Sequence, residues 1–244
     1  MSNRTALVSG SSRGLGAVIA RRLAADGWAV AVNHRASPDL AEQVVAGIRE
    51  SGGVAASYAA DVTDAEEVAA YVAAAERELG PVEVVVANAT GPQPSVAIED
   101  LSWQDHLDQL RFFVLSPTLL VQSALPSMKR LGRGRVIQIG SDMFDRALPK
   151  SSAYIAAKGA QLGLTRSWSR ELGPLGVTVN LVAPGWVPVE RHAGADPSSY
   201  EADVPLGRMG TPDDIASMVA YLAGDQASFV TGQRISVNGG HTLW

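Results

Sequence analysis

The sequence predicts an α/β chain: a single doubly wound domain, residues 1–244, built on a parallel sheet. Three observations predict it. Short β-rich runs alternate with alanine-rich helical stretches from end to end. Most of the short runs are apolar on successive residues, the pattern of strands buried on both faces of a parallel sheet. A glycine-rich turn follows the first run, where such sheets carry a phosphate-binding loop. No linker, repeat or low-complexity segment divides the chain.

In chain order the strands read TALVSG, WAVAVN, VAASYAAD, VEVVVANA, GRVIQIGS, VTVNLVAPG and RISVNGG. Helices are expected between them, over 14–25, 39–51, 64–79, 102–130, 151–173 and 211–224. Asp64 before AEEV and Thr211 before Pro212 are helix-start signals, a side-chain acceptor followed by residues that favour the first turn. Alternation of this kind builds βαβ crossovers. Inside 102–130, the run FFVLSPTLL places Pro117 where it has no amide proton for the Phe113 carbonyl and crowds that oxygen. The least regular stretch, 186–210, reads as a substrate lid.

With 46% hydrophobic residues the chain can bury a substantial core. A net charge of −5 gives no surface for nucleic acid or anionic lipid, whose phosphates demand an excess of Lys and Arg. The absence of cysteine removes disulfides, thiolate metal sites and cysteine nucleophiles together. Histidines 34, 106, 192 and 241 lack metal-ligand spacing, so no metal is expected. No 18-residue apolar run is present, and the first residues lead directly into a strand-like stretch. A cytoplasmic protein without a membrane partner is the expectation.

The loop SGSSRGLG after the first strand supplies Gly10, Gly14 and Gly16, with Ser12, Arg13 and Leu15 between them. Glycines there let the backbone approach a pyrophosphate, whose charge the helix N-terminus stabilises. The spacing G-x-x-x-G-x-G departs from the common fingerprint, and a plain βα turn is the competing reading. The second strand ends in Asn33, His34 and Arg35, where an Asp or Glu would bind a ribose 2′-hydroxyl. Arg13 and Arg35, with no acid adjacent in sequence, favour the 2′-phosphate of NADP(H) over NAD(H), unless Arg35 is merely a solvated loop residue.

After the fifth strand comes Ser141, and YIAAK then supplies Tyr154 and Lys158. Residues four apart on a helix lie ~40° apart around the axis and ~6 Å along it, so the pair shares a face. A tyrosine working near neutrality needs its pKa lowered by roughly three units, about 4 kcal/mol. One ammonium ~4 Å away at an effective dielectric of ~20 supplies about that much.

Taken in order, SGSSRGLG, ADVTD, VANA, GRVIQIGS, SAYIAAKGA, VTVNLVAPG, PLGRMGTPDDIA and VTGQRISVNGG resemble the short-chain dehydrogenase/reductase family, particularly its 3-oxoacyl-ACP-reductase-like members. The resemblance covers essentially the whole chain. It implies a seven-stranded Rossmann fold, a homotetramer or homodimer, and hydride transfer between a nicotinamide and a small carbonyl or alcohol substrate. It implies that Ser141 holds the substrate oxygen, Tyr154 gives or takes its proton, and Lys158 lowers the tyrosine pKa and binds the nicotinamide ribose. Asp61 and Val62 would face the adenine, Asn88 and Ala89 would line the cofactor, and Pro184, Gly185 and Val187 would frame the nicotinamide.

Two departures from that family qualify the reading. The fourth strand ends ANAT rather than N-N-A-G, with Gly91 following. The helical Asn of the family, whose main-chain carbonyl holds a water beside the catalytic lysine, aligns with Phe113. Either Pro117 keeps the residue-113 carbonyl open for that water, or Pro117 only bends the helix. The alternative function is a non-catalytic NADP(H)-binding regulator or scaffold on the same fold; lyase or isomerase chemistry with the same three residues is a further possibility. Trp186, Met143 and Phe144 suggest an apolar pocket, with Asp142, Asp145 and His192 available to polar groups. The GGHTLW tail is expected at a subunit interface.

Overall fold

The computed structural model describes residues 4–190, 194 and 196–243; His192, Trp244 and part of the expected lid lie outside them. Seven strands form one parallel sheet: β1 (Thr5–Val8), β2 (Ala29–His34), β3 (Val54–Ala59), β4 (Val82–Ala87), β5 (Gly134–Ile139), β6 (Val177–Pro184) and β7 (Arg234–Val237). They lie in the order β3-β2-β1-β4-β5-β6-β7. This is the doubly wound arrangement, with the strand order reversing direction between β1 and β4.

Helices cover both faces. On one side α1 (Gly14–Ala25), α2 (Pro38–Glu50) and α9 (Pro212–Ala223) pack Ile19, Leu23, Val44, Ile48, Ile215 and Leu222 against Val30 and Val32 of β2. On the other, α3 (Ala65–Leu79) and α5 (Ser116–Leu131) pack Val68, Tyr71, Leu120 and Met128 against Ala29 and Ala31. Alternate residues of one strand thus enter opposite cores, which is why β2 carries no polar residue before Asn33. α3 and α9 begin where expected: Asp64 accepts from the Glu66 and Glu67 amides, and Thr211 with Asp214 forms a capping box.

The helix expected over 102–130 is divided. Helix α4 (Trp103–Leu110) is followed by a π-helical turn, Arg111–Leu115, before α5. The Ser116 amide donates to the Arg111 carbonyl five residues back, one residue beyond the α-helical partner. The turn ends one residue before Ser116-Pro117, where a proline removes the next regular donor, and such π-bulges occur frequently at functional sites. Phe113 lies in this turn, buried at 3% exposure. The remaining helices are α6 (Met143–Arg146), α7 (Ser152–Leu172) and α8 (Ser198–Ala202). Among the described residues, no helix is long and apolar enough to cross a membrane, and no group of His, Cys, Asp or Glu could hold a metal.

Candidate active site

A cleft of about 1120 Å³ opens at the carboxyl ends of the strands, across the switch between β1 and β4. It is lined by Gly10, Ser12, Arg13, Gly14, Leu15 and Gly16 from the first loop, and by His34 and Arg35 after β2. Asp61 and Val62 follow from β3, Asn88 and Ala89 from β4, and Pro184, Gly185 and Val187 from β6. Ser141, Tyr154 and Lys158 line the same cleft. The residues expected from the sequence to hold the cofactor therefore face one space together with Ser141, Tyr154 and Lys158.

The glycine loop is held by side chains rather than by its own backbone alone. Gly10 and Gly14 have φ of +61° and +56°, left-handed values that favour glycine. A Cβ on Gly16 would lie 2.6 Å from Asn88 Nδ2, and closer still to the Gly10 carbonyl oxygen. The Asn88 amide donates to the Ser9 and Gly10 carbonyls at 2.9 and 3.1 Å. Ser9 Oγ accepts from the Asn88 and Ala89 amides. Asn33 Oδ1 accepts from the Gly10 amide at 2.9 Å, while its Nδ2 donates to the Ala60 carbonyl. Asn33 thus clamps β1, β2 and β3 together beneath the loop. Sequence reasoning noted it only for not being acidic; the signal was a buried amide at the end of an otherwise apolar strand.

Three features fit a dinucleotide. The first turn of α1 carries neither a side-chain cap nor an acidic residue, so its amides and the positive end of its dipole face the cleft. Gly10, Gly14 and Gly16 line the cleft with backbone alone. His34 Nδ1 is buried without a hydrogen-bond partner at the cleft wall. One expectation needs correction: Arg35 does have an acid beside it, because Asp61 Oδ2 from the neighbouring strand's end lies 3.7 Å from its guanidinium. Burial pushes the Asp61 carboxyl upward, but two hydrogen bonds from Thr63 and the charges of Arg35 and Arg111 outweigh it and hold it below its ordinary range. Both partners remain accessible, and the contact directs Arg35 toward Asp61 without occupying all its donors.

Ser141 is placed by sheet pairing that continues past β5. The Gly140 amide donates to the Val182 carbonyl, and the Asp142 amide to the Pro184 carbonyl. The Met143 amide donates to Ser141 Oγ at 3.1 Å, fixing the oxygen. Tyr154 and Lys158 project from α7. The Lys158 ammonium donates to the Ile139 carbonyl at 2.7 Å and to Gln161 Oε1 at 3.2 Å, and lies 5.6 Å from the Tyr154 ring centroid. Phe113 completes the group. Its ring meets Tyr154 edge-on at 5.4 Å between centroids and presents its face to Lys158 Nζ at 3.7 Å. Phe113 therefore stands beside the lysine in space.

The substrate end mixes agreement and correction. Met143, Trp186 and Asp142 line the cleft. Phe144 does not; it is 37% exposed and stands beside Gly159 and Arg234. Asp145 is also outside the cleft lining, engaged in a partly buried ion pair with Arg234. Arg146 and Leu148, from the segment after Ser141 that the sequence points to as pocket lining, do line the cleft, and so does Phe112, which the sequence reading missed. Phe112 reaches it because Gly91 has no side chain to meet its ring.

Comparison with known proteins agrees with this geometry. Residues 10–242 match the family model described as enoyl-(acyl carrier protein) reductase. The 3-oxoacyl-(acyl-carrier-protein) reductase FabG of Staphylococcus aureus is 37% identical over 242 residues, 97% of each chain. The chain belongs to the short-chain dehydrogenase/reductase family. Its members include the short-chain reductase protein NovJ of Streptomyces niveus, 37% identical over 96% of this chain and 92% of that one. Among solved structures, a variant of a Serratia marcescens short-chain dehydrogenase/reductase superposes with a TM-score of 0.92 at 37% identity over 98% of both chains. A blue fluorescent protein from a metagenomic library, solved in complex with NADPH, gives 0.90 at 36% identity over 98% of both. The fold and the oxidoreductase class are those of this short-chain family.

Proposed function

We propose that the protein is an NADP(H)-dependent oxidoreductase that moves a hydride between the nicotinamide and a ketone or secondary alcohol. The observation that carries this reading is the convergence of Ser141, Tyr154 and Lys158 on the cleft that also holds the glycine loop, Arg13 and Arg35. The cofactor supplies or accepts the hydride. Ser141 donates a hydrogen bond to the substrate oxygen. Tyr154 gives its phenolic proton to that oxygen during reduction and takes it back during oxidation. Lys158 favours the phenolate by its charge and would hold the nicotinamide ribose.

NADP(H) is favoured over NAD(H) because two guanidiniums border the site where a 2′-phosphate would sit, and the NADPH-bound neighbour supports that choice. Arg13 and Arg35 would hold the phosphate. Met143 and Trp186 make the substrate end apolar, which suits a ketone with a hydrocarbon body. The reading includes a homodimer or homotetramer: Phe229 and Leu243 are 102% and 86% exposed in the single chain. Size-exclusion with light scattering should give a multimer; a stable monomer would remove that part.

The test is consumption of NADPH with a panel of aliphatic and aryl ketones. The competing regulator reading draws on Phe113; it predicts NADPH binding by calorimetry and no turnover with any carbonyl.

A further inference from the structure

Lys158 is 5% exposed, and the buried side of α7 carries polar residues beside Ala157, Leu162 and Leu172. Lys158, Gln161 and Thr165 recur at helical spacing and are at most 5% exposed. Opposite them on β5 is Gln138, fully buried. Gln138 Nε2 donates to Thr165 Oγ1 at 2.9 Å, and Thr165 Oγ1 donates to the Gln161 carbonyl at 3.0 Å. The side chain of Gln161 then turns toward the active site and accepts from Lys158 Nζ. An ammonium only donates, so the amide must meet it through oxygen. A buried amide is costly unless satisfied, and a leucine would fill the same space without that cost.

On the opposite side of the ammonium stands Phe113. Its ring offers electrostatic attraction to a cation but no directional acceptor. The Ile139 carbonyl, fixed by the sheet, and Gln161 Oε1 do accept from the ammonium. We infer that Gln161 is a positioning residue for Lys158: its amide oxygen fixes the direction of the ammonium, in a site where residue 113 supplies a ring instead of an amide. The inference rests on the proposed oxidoreductase reading for its catalytic meaning, although the contact itself does not. Gln161 acts through Lys158 and touches neither substrate nor cofactor.

The chain has three lysines, Lys129, Lys150 and Lys158. Protein labelled with 13C at lysine Cε should therefore give three signals, with Lys158 assigned by its disappearance in Lys158→Arg. The cofactor-free full chain is compared as wild type, Gln161→Met and Gln161→Glu. Gln161→Met keeps the side-chain length and removes the acceptor, and should change the Lys158 chemical shift and its pH titration. Gln161→Glu keeps an acceptor oxygen and adds a negative charge, so the Lys158 titration should move to higher pH than in the wild type. In NADPH turnover, Gln161→Met should lose kcat on the order of ten-fold, the effect of one hydrogen bond to a charge. A folded Gln161→Met with the wild-type Lys158 titration and wild-type kcat would overturn the inference. If Gln161→Met does not fold, the Gln161→Glu spectrum decides, and a Lys158 titration that does not move to higher pH counts against. A wild type that turns over no ketone would defeat the functional reading alone, because the lysine spectrum is recorded without turnover.

Discussion

The Lys158 ammonium lies 3.7 Å from the centre of the Phe113 ring, inside a site where both residues are at most 5% exposed. A desolvated cation on an aromatic face gains about 2 kcal/mol, and Phe113 also fills the core between α7 and the π-turn. Phe113→Ala should therefore destabilise the fold by about 3–5 kcal/mol, as large-to-small core changes do. Phe113→Leu should cost less in stability, yet still weaken the hold on Lys158. Denaturant unfolding of the two variants, followed by NADPH affinity for the Leu variant, checks both statements.

Glycines divide into those the cleft requires and those it does not. Gly16→Ala drives a methyl into the Gly10 carbonyl and Asn88, so calorimetry should show NADPH affinity reduced at least ~100-fold, roughly 3 kcal/mol. Gly47 in α2 has nothing within 4 Å of a built Cβ. Gly47→Ala should raise stability by about 0.5–1 kcal/mol, because glycine is a poor residue for a helix interior.

Arg35 is anchored near Asp61 and borders the cleft. Arg35→Ala should weaken NADPH about ten-fold, the loss of charge-assisted bonds to a phosphate, while leaving NADH nearly unchanged. Competition of the two nucleotides for wild type and variant reads this directly. Equal losses for both nucleotides would show that Arg35 does not meet a 2′-phosphate.

Asp142, next to Ser141, is 1% exposed, with Tyr200 Oη and His241 Nδ1 each 3.3 Å from its Oδ2. Burial pushes its carboxyl above the ordinary carboxylate range, against the opposing pull of His241, Arg146 and Tyr200. The sign follows from the raised folded value. The contribution to stability is complete below the unfolded pKa and is lost as pH rises through the folded one. Melting temperatures against pH should thus show Asp142→Asn gaining on wild type as pH rises above the carboxylate range. A constant difference across that window would contradict the assignment.

The fold is legible in the sequence because strands buried on two faces must be apolar at successive positions, as Ala29 to Val32 are. The cleft is legible because Gly10, Ser141 and Asn88 follow strands directly, so their neighbourhood comes from sheet order alone. What stays hidden needs packing between helices. Pro117 marks the break in the 102–130 helix, but the one-residue π insertion leaves the apolar periodicity almost unchanged. Gln161 reads as an ordinary polar helical residue until α7 is set against β5. His241 reaches Asp142 across 99 residues of chain, a contact that depends on how the chain continues after β7. The acid beside Arg35 is invisible for the same reason, since Asp61 lies 26 positions away and meets it only across neighbouring strands.

The most direct measurement is ketone-dependent oxidation of NADPH by wild type and Tyr154→Phe, with nucleotide binding measured on both. Wild type should turn over at least one ketone. Tyr154→Phe should bind NADPH within a few-fold of wild type and lose essentially all turnover. A Tyr154→Phe enzyme that retains wild-type kcat would contradict the account, because some other group would then be delivering the proton.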